Sequence, residues 1–338
     1  MAINKISIEN FTVFLKTEMD FSDGINVFIG ENGTGKTHLL KIINALCEWT
    51  SGVSKEDSDA TIAQKIQRSF QYVPFKDMAH QNSISSLNED SIKIASWVNG
   101  IEKSYQISNY SKNGKYDCDA SGVQDYFPSI FIPAKDMLTH GGLEKDFIDR
   151  HLPFDITLID ILNRAGVSTV KNLPIDMLSI LDKISKIIDG KIVYKNDRYY
   201  TEKPDGALID FAVEAEGFKK LGLIYRLIET GHIKKNGVLI WDEPEANLNP
   251  RLIPDLVDII LVMERAGVQM FFATHDYFFA KFLEVRKNKD SKMLYHALYK
   301  KDQGISCESQ SDFTMLENNS IIKQSIDLYK EEVKKVME

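Results

Sequence analysis

The sequence predicts an α/β protein with a mainly parallel core sheet, an antiparallel β layer from residues near 1–30 and 91–117, and a small helical insertion lobe on its rim. Three observations predict it. Residues 25–29, 238–241 and 268–273 are short, largely apolar runs, the pattern of strands buried on both faces. Strand and helix patterns alternate after residue 200 through Thr274. The first eight residues and residues 91–110 read as β instead, without helices between them.

Taken in order, residues 3–8 alternate apolar and polar, a second extended piece runs from near Phe11 to Met19, and residues 25–29 stop at Gly30. A glycine loop leads into residues 36–49, where Leu39, Leu40, Ile42, Ile43, Leu46 and Cys47 fit a buried helix. Residues 51–90 are polar and lack a lasting period, which reads as a loop or a weakly helical excursion. Asn113-Gly114 offers a hairpin turn, and Pro128 and Pro133 bracket a short strand. Residues 143–189 turn helical, 173–188 most clearly. A β-like stretch at 191–200 has Asn196-Asp197 as its turn. The tail, 293–338, reads as a strand pair and a charged terminal helix.

The chain has 338 residues, 43% hydrophobic and 27% charged, which suits a globular protein with a sizeable core. A net charge of −8 excludes a wholly basic nucleic-acid binder, so any DNA or RNA contact needs a local patch. The three cysteines, Cys47, Cys118 and Cys307, form no CxxC pair, which argues against a disulfide framework or zinc ribbon and fits a reducing cytoplasm. No stretch reads as a signal peptide or a membrane span, so the expected location is cytoplasmic, with no membrane partner.

Chemistry concentrates in four places. Gly30-Glu31-Asn32-Gly33-Thr34-Gly35-Lys36-Thr37, followed by His38, matches GxxxxGK[ST] between a strand and a helix. Its glycines let backbone N–H groups turn inward onto phosphate oxygens, Lys36 reaches the β- and γ-phosphates, and the Thr37 hydroxyl is placed for Mg²⁺. Far downstream, residues 238–241 lead into Asp242 and Glu243, a metal-holding carboxylate followed by one that polarises water. The absence of a guanine-reading NKxD argues against a GTPase. Residues 244–250 follow, with Asn247 among them and with Asn249 and Pro250 as N-cap and N1 of the next helix. The third apolar run ends in Thr274-His275-Asp276. Between these motifs Ala215, Glu216 and Gly217 open a helix, whose N-terminus suits a phosphate and whose simpler role is a cap.

In this order the motifs resemble the P-loop NTPase heads of the ABC type, in the SMC, RecF and OLD group. Within it the chain looks most like the short ATPases of bacterial anti-phage systems such as Septu and the retron-linked ATPases. The resemblance runs from Ile8-Glu9-Asn10-Phe11 through GENGTGKTHLL, FIPAKDML, VEAEGFKKLG, WDEPEANLNP and ATHDYFF. It implies ATP and Mg²⁺ as cofactors and ATP hydrolysis as the reaction. Glu243, Lys36 and His275 would be catalytic, with His275 sensing the γ-phosphate. Asn10 and Phe11 would lie near the adenine, and Asn247 in the D-loop. Ala215 to Gly217 would form a signature that meets ATP on an opposite subunit, although Ala215 stands where Ser is usual. Residues 132–136 would fill the Q-loop position without a Gln, leaving Lys135 and Asp136 as candidates. Residues 1–137 and 191–338 would form the head. Residues 138–190 would form a compact helical lobe where SMC proteins insert coiled coils.

Two functions from different classes follow from the resemblance. One is an ATP switch, dimerising head to tail around ATP-Mg and controlling a separate effector nuclease or toxin in anti-phage defence. The short remainder after His275 lacks the acidic clusters of a Toprim nuclease, so the effector would be another protein. The other is a RecF- or SMC-like ATP-dependent clamp on DNA in repair or maintenance, using basic clusters at Lys183, Lys186, Lys191, Lys195 and Arg198 and at Lys281, Arg286, Lys287 and Lys289. An importer ATPase is disfavoured by the missing Gln.

Overall fold

Six strands form the sheet on which the molecule is built. The computed structural model describes residues 2–51, 62–80, 91–108, 117–121, 128–135, 138–140, 156–302 and 304–337. Strands β3 (Ile25–Gly30), β7 (Ser129–Ile132), β11 (Val238–Asp242), β12 (Gln269–Ala273) and β13 (Met293–Lys301) run parallel in the order β13-β3-β12-β11-β7. Antiparallel β14 (Gly304–Gln310) closes one edge. Every residue of β3, β11 and β12 is buried, as expected of apolar runs covered on both faces.

The second sheet is antiparallel. Its strands β1 (Ile3–Phe11), β2 (Phe14–Asp20), β4 (Ser91–Val98), β5 (Ile101–Ser108) and β6 (Asp117–Ser121) take the order β2-β1-β4-β5-β6. Asn99 and Gly100, both at positive φ, close the β4–β5 hairpin. The expected Asn113-Gly114 turn lies outside the described residues. Gln269 fastens the two sheets. Its amide donates to the carbonyls of Ile3 and Ser22 (2.8 Å each), and its oxygen accepts from Ile3 N (2.9 Å). At the other end Thr17 Oγ1 donates to Ile305 O (2.6 Å).

Helix α1 (Lys36–Ser51) lies between the sheets. Leu39, Leu40, Ile42, Ile43, Ala45, Leu46 and Cys47 share a core with Ile6, Ile8 and Ile94 of one sheet and Phe28, Ile240 and Phe271 of the other. Each such large side chain contributes roughly 1.5–3 kcal/mol relative to exposure. Within the polar 51–90 region the described residues form two helices, α2 (Ile62–Ser69) and α3 (Phe75–Met78). Ile62, Ala63, Ile66, Phe75 and Met78 of these helices join the same core.

On the far face of the parallel sheet lie α4 (Ile156–Gly166), α5 (Ile175–Ile188), α6 (Glu216–Glu229), α7 (Ile253–Arg265) and α8 (Tyr277–Arg286). Ile161, Met177 and Ile184 from the proposed lobe sit in one cluster with Val27, Trp241 and Phe272 of the sheet. A small antiparallel sheet, β8 (Lys191–Lys195), β9 (Arg198–Glu202) and β10 (Leu208–Asp210), adds Ile192 and Tyr199 to that cluster. Asn196 and Asp197, at φ 51° and 60°, make its first turn. The terminal helix α9 (Ser320–Met337) follows β14.

Candidate functional site

Parallel strands bring their carboxyl ends to one edge, where open α/β sheets bind ligands. Here β12 lies between β3 and β11, so the ends of all three meet. The ladder continues one residue past each strand: Thr274 N donates to Phe28 O (3.0 Å) and Glu243 N to Ala273 O (2.9 Å). That register delivers Asp242, Glu243 and His275 to a single cavity, with the loop that starts at Gly30 across from them.

The loop after β3 turns back on itself. Gly30 and Gly35 adopt positive φ, and a Cβ at either would collide, with Leu298 O at Gly30 and with Val13 and Phe14 at Gly35. Thr34 folds inward, its Oγ1 donating to Glu31 O (2.8 Å). Lys36 Nζ donates to the carbonyls of Gly30 (2.8 Å) and Glu31 (3.1 Å). Burial pulls the Lys36 ammonium down to about 8 against the opposing pull of Asp242 and Glu243. Thr37 Oγ1 donates to Asp242 Oδ2 at 2.9 Å, and burial raises the Asp242 carboxyl.

A cavity of about 260 Å³ gathers Asn32, Gly33, Gly35, Lys36, Thr37, His38, Asp242, Glu243 and His275, together with Val13. Glu243 stands at φ 50°, a left-handed conformation that costs a non-glycine residue about 1–2 kcal/mol and recurs where geometry is functional. Its carboxylate lies 3.9 Å from His275 Nε2, and both side chains are half-exposed. Burial first, then Lys36, lowers the His275 pKa, so its imidazole is neutral near pH 7. Thr37 and Asp242 offer two adjacent hard oxygens, which suits Mg²⁺, an ion that keeps waters and phosphate oxygens in the rest of its shell.

A larger cavity of about 670 Å³ adjoins this one and shares Val13, Gly33 and His38 with it. Phe70, Val73, Met78 and His80 line it further out. The His38 ring meets Phe70 edge to face at 5.3 Å. These α2–α3 residues were not foreseen; the only sequence signal was the short stripe Ile62, Ala63, Ile66, too brief to announce a helix in a polar segment. Asn10 and Phe11, expected beside the adenine, do not line this cavity. Phe11 is fully buried against Phe70, and the Asn10 side chain donates to Ser91 O and accepts from His80 N. The alternation of β1 points Phe11 into the inter-sheet core, and the turn after it presents Thr12 and Val13 instead.

Ala215, Glu216 and Gly217 stand apart from both cavities. Ala215 caps α6 without a side-chain bond, and a Cβ on Gly217 would lie 3.1 Å from Leu248. Asn247 is exposed at φ 61° in the same stretch after β11. Lys135 is exposed and lines neither cavity; Asp136 lies outside the described residues. One further residue was missed. Glu245 Oε1 accepts from Thr274 Oγ1 (2.6 Å) and from His275 N (3.3 Å), tying the segment after β11 to the histidine.

A family model described as AAA ATPase domain matches residues 1–132. The sequence is 49% identical over 57 residues to the DNA replication and repair protein RecF of Cytophaga hutchinsonii, which is 17% of this chain and 15% of that protein. It is 33% identical over 107 residues to RecF of Pasteurella multocida, 28% of this chain and 30% of that protein. The aligned stretch thus spans less than a third of either relative. Among solved structures the chain is similar to an Smc head bound to the C-winged helix domain of ScpA. The match has a TM-score of 0.58 at 13% identity, over 92% of this chain and 98% of that one. It is also similar to an Smc head with an extended coiled coil bound to the C-terminal domain of ScpA from Pyrococcus furiosus, with a TM-score of 0.57 at 11% identity over 98% and 99%. The fold is that of a P-loop ABC-type ATPase head. The family match over residues 1–132 supports ATP binding and hydrolysis in general.

Proposed function

We propose that the chain hydrolyses ATP in a site completed by a second copy of itself, and that the closing and opening of this dimer controls a separate effector protein. The observation that carries the catalytic part is the meeting of Lys36, Thr37, Asp242, Glu243 and His275 in one cavity. The polyphosphate lies along the loop N–H groups with Lys36 at its outer end. The base occupies the larger cavity, against Val13, His38 and Phe70. Thr37 and Asp242 would hold Mg²⁺, which would supply neutralisation of phosphate charge. Glu243 orders a water for in-line attack on the γ-phosphorus as the bond to the β-bridging oxygen breaks. His275 donates to a γ-phosphate oxygen.

The dimer follows from what one chain leaves apart. The N-terminus of α6 carries free N–H groups suited to phosphate, yet Ala215 to Gly217 do not line this chain's own cavity. In a head-to-tail pair they would meet the partner's ATP. A separate protein as the output is in keeping with solved heads of this fold that are bound to ScpA. An anti-phage setting rests on the sequence resemblance alone.

The second reading, a DNA clamp, is favoured by the RecF relatives. Several members of the basic clusters are already paired: Lys183 with Asp258 (2.7 Å), Arg198 with Asp210 (3.2 Å), Arg286 with Asp258 (2.5 Å) and Lys287 with Asp312 (2.6 Å). Such pairing lessens the charge offered to a phosphate backbone.

Mass and nucleotide binding test both readings. Lys36→Ala is expected to lose nucleotide binding. Glu243→Gln is expected to bind ATP-Mg²⁺, turn over at least about 100-fold more slowly and double its mass in solution. Wild-type turnover by Glu243→Gln would remove the assignment of the water-ordering carboxylate. A mass indifferent to ATP would remove the shared site, and dimerisation only with DNA would favour the clamp.

A further inference from the structure

The backbone of Glu243 is held from three sides. Its N–H donates to Ala273 O (2.9 Å), and its carbonyl accepts from Ala246 N (3.1 Å). The third contact is a charged one, from Lys220 Nζ to Glu243 O at 2.9 Å, with Pro244 O at 3.4 Å beyond it. Lys220 projects from α6 and is only 7% exposed. An ammonium stripped of water is strongly committed to the carbonyls that replace its hydration. The same helix meets the same segment again one turn earlier, where Gly217 approaches Leu248 closely enough that a Cβ would sit 3.1 Å away. Glu243 occupies a left-handed conformation that a non-glycine residue keeps only when its surroundings impose it. Among the described contacts to the Glu243 backbone, the one from Lys220 is charged.

We infer that Lys220 is a positioning residue: from α6 it fixes the carbonyls of Glu243 and Pro244, and thereby the angle from which the Glu243 carboxylate orders the attacking water. The inference rests on the reading of Glu243 as that carboxylate. It also joins the two halves of the shared site within one chain. Lys220 lies one helical turn after Glu216, so a displacement of the α6 N-terminus by a phosphate of the opposite subunit reaches this chain's own Glu243 through a single side chain.

A mutant cycle on the full chain tests this. Lys220→Met keeps the length and removes the charge, and it is expected to lower kcat about tenfold while KM and ATP affinity stay within about threefold. Lys220→Arg is expected to recover most of the lost rate. In a Glu243→Gln background, single-turnover measurements are expected to show no more than about a twofold further loss from Lys220→Met, because the lysine acts through the residue already altered. A kcat within twofold of wild type for Lys220→Met overturns the inference. So does the same tenfold loss with and without the Glu243 carboxylate, which marks a contribution to folding alone. Should Lys220→Met not fold, Lys220→Gln enters the same cycle with a neutral donor. A wild-type protein without ATP turnover fails the reading of the site itself. Normal turnover in wild type and in the lysine variants fails only the inference.

Discussion

His296 sits in β13 without solvent contact, its ring stacked over Phe28 at 5.0 Å. Ser309 Oγ pairs with Nδ1 at 2.8 Å and Asn26 Oδ1 with Nε2 at 3.3 Å. Burial pushes its pKa down to about 3, against an unfolded value near 6.5. The unfolded chain therefore binds the extra proton first, and stability falls as pH drops below 6.5. Between pH 7 and pH 5 the wild type is expected to lose about 2 kcal/mol more than His296→Gln, read from urea midpoints. Parallel losses would mean the imidazole finds a proton without unfolding.

Glu245 has the opposite sign. Burial, with Asp276 nearby, raises its carboxyl to about 7 despite the bond from Thr274, and Oε2 meets no partner among the described residues. The folded chain holds the proton longer than the unfolded one, so stability contributed by this group below pH 4.5 is lost as pH rises through 7. Glu245→Gln is expected to be up to about 3 kcal/mol more stable than wild type at pH 8 and level with it at pH 4.5. Equal stability at both would show the carboxylate to be solvated at pH 8. The phosphate loop was legible at this scale because glycines, a lysine and a threonine at fixed spacing have few other uses. A carboxylate three residues after Asp242 reads as a surface charge until the fold buries it.

Among elements, α6 shows where legibility ends. Its start was marked by Ala215, Glu216 and Gly217, but nothing in the sequence marked how deeply its charged residues would lie. The helix is instead buried along almost its whole length, with Lys219, Lys220 and Arg226 spending their charges on internal partners. Arg226 donates to Ala165 O at 2.9 Å and pairs with Glu229. That wrapping brings β8–β10 onto the helix at Gly222, where a Cβ would lie 2.7 Å from Phe211 and 3.2 Å from Ile192. In an exposed helix Gly→Ala would add roughly 1 kcal/mol of stability through propensity. Here the rigid, fully buried Phe211 ring has nowhere to go. Gly222→Ala is expected to destabilise by about 1–3 kcal/mol in chemical denaturation. A gain would mean that the small sheet yields easily and is only loosely seated.

For the whole molecule, the strands were legible because apolar runs and period-two alternation are direct records of two-sided and one-sided burial. The stacking of sheet, α1, sheet and helices was implied by the motifs, not by periodicity. Helix α9 stands outside that stack. Asn319 starts it, accepting from Ile321 N and Ile322 N (3.1 Å each), and these two isoleucines pack on the core. Beyond them no residue of α9 is buried. Ile326, Tyr329, Val333 and Val336 follow at spacings of three and four, and all are exposed in the single chain. The part of α9 beyond Lys323 buries nothing, so it adds nothing to the stability of its own monomer beyond its local hydrogen bonds. Truncation after Lys323 is therefore expected to lower Tm by less than about 3 °C and leave nucleotide affinity unchanged. A fall of about 10 °C accompanied by a smaller mass in solution would show that the stripe is covered by another copy, and that the stable unit is larger than one chain even without ATP.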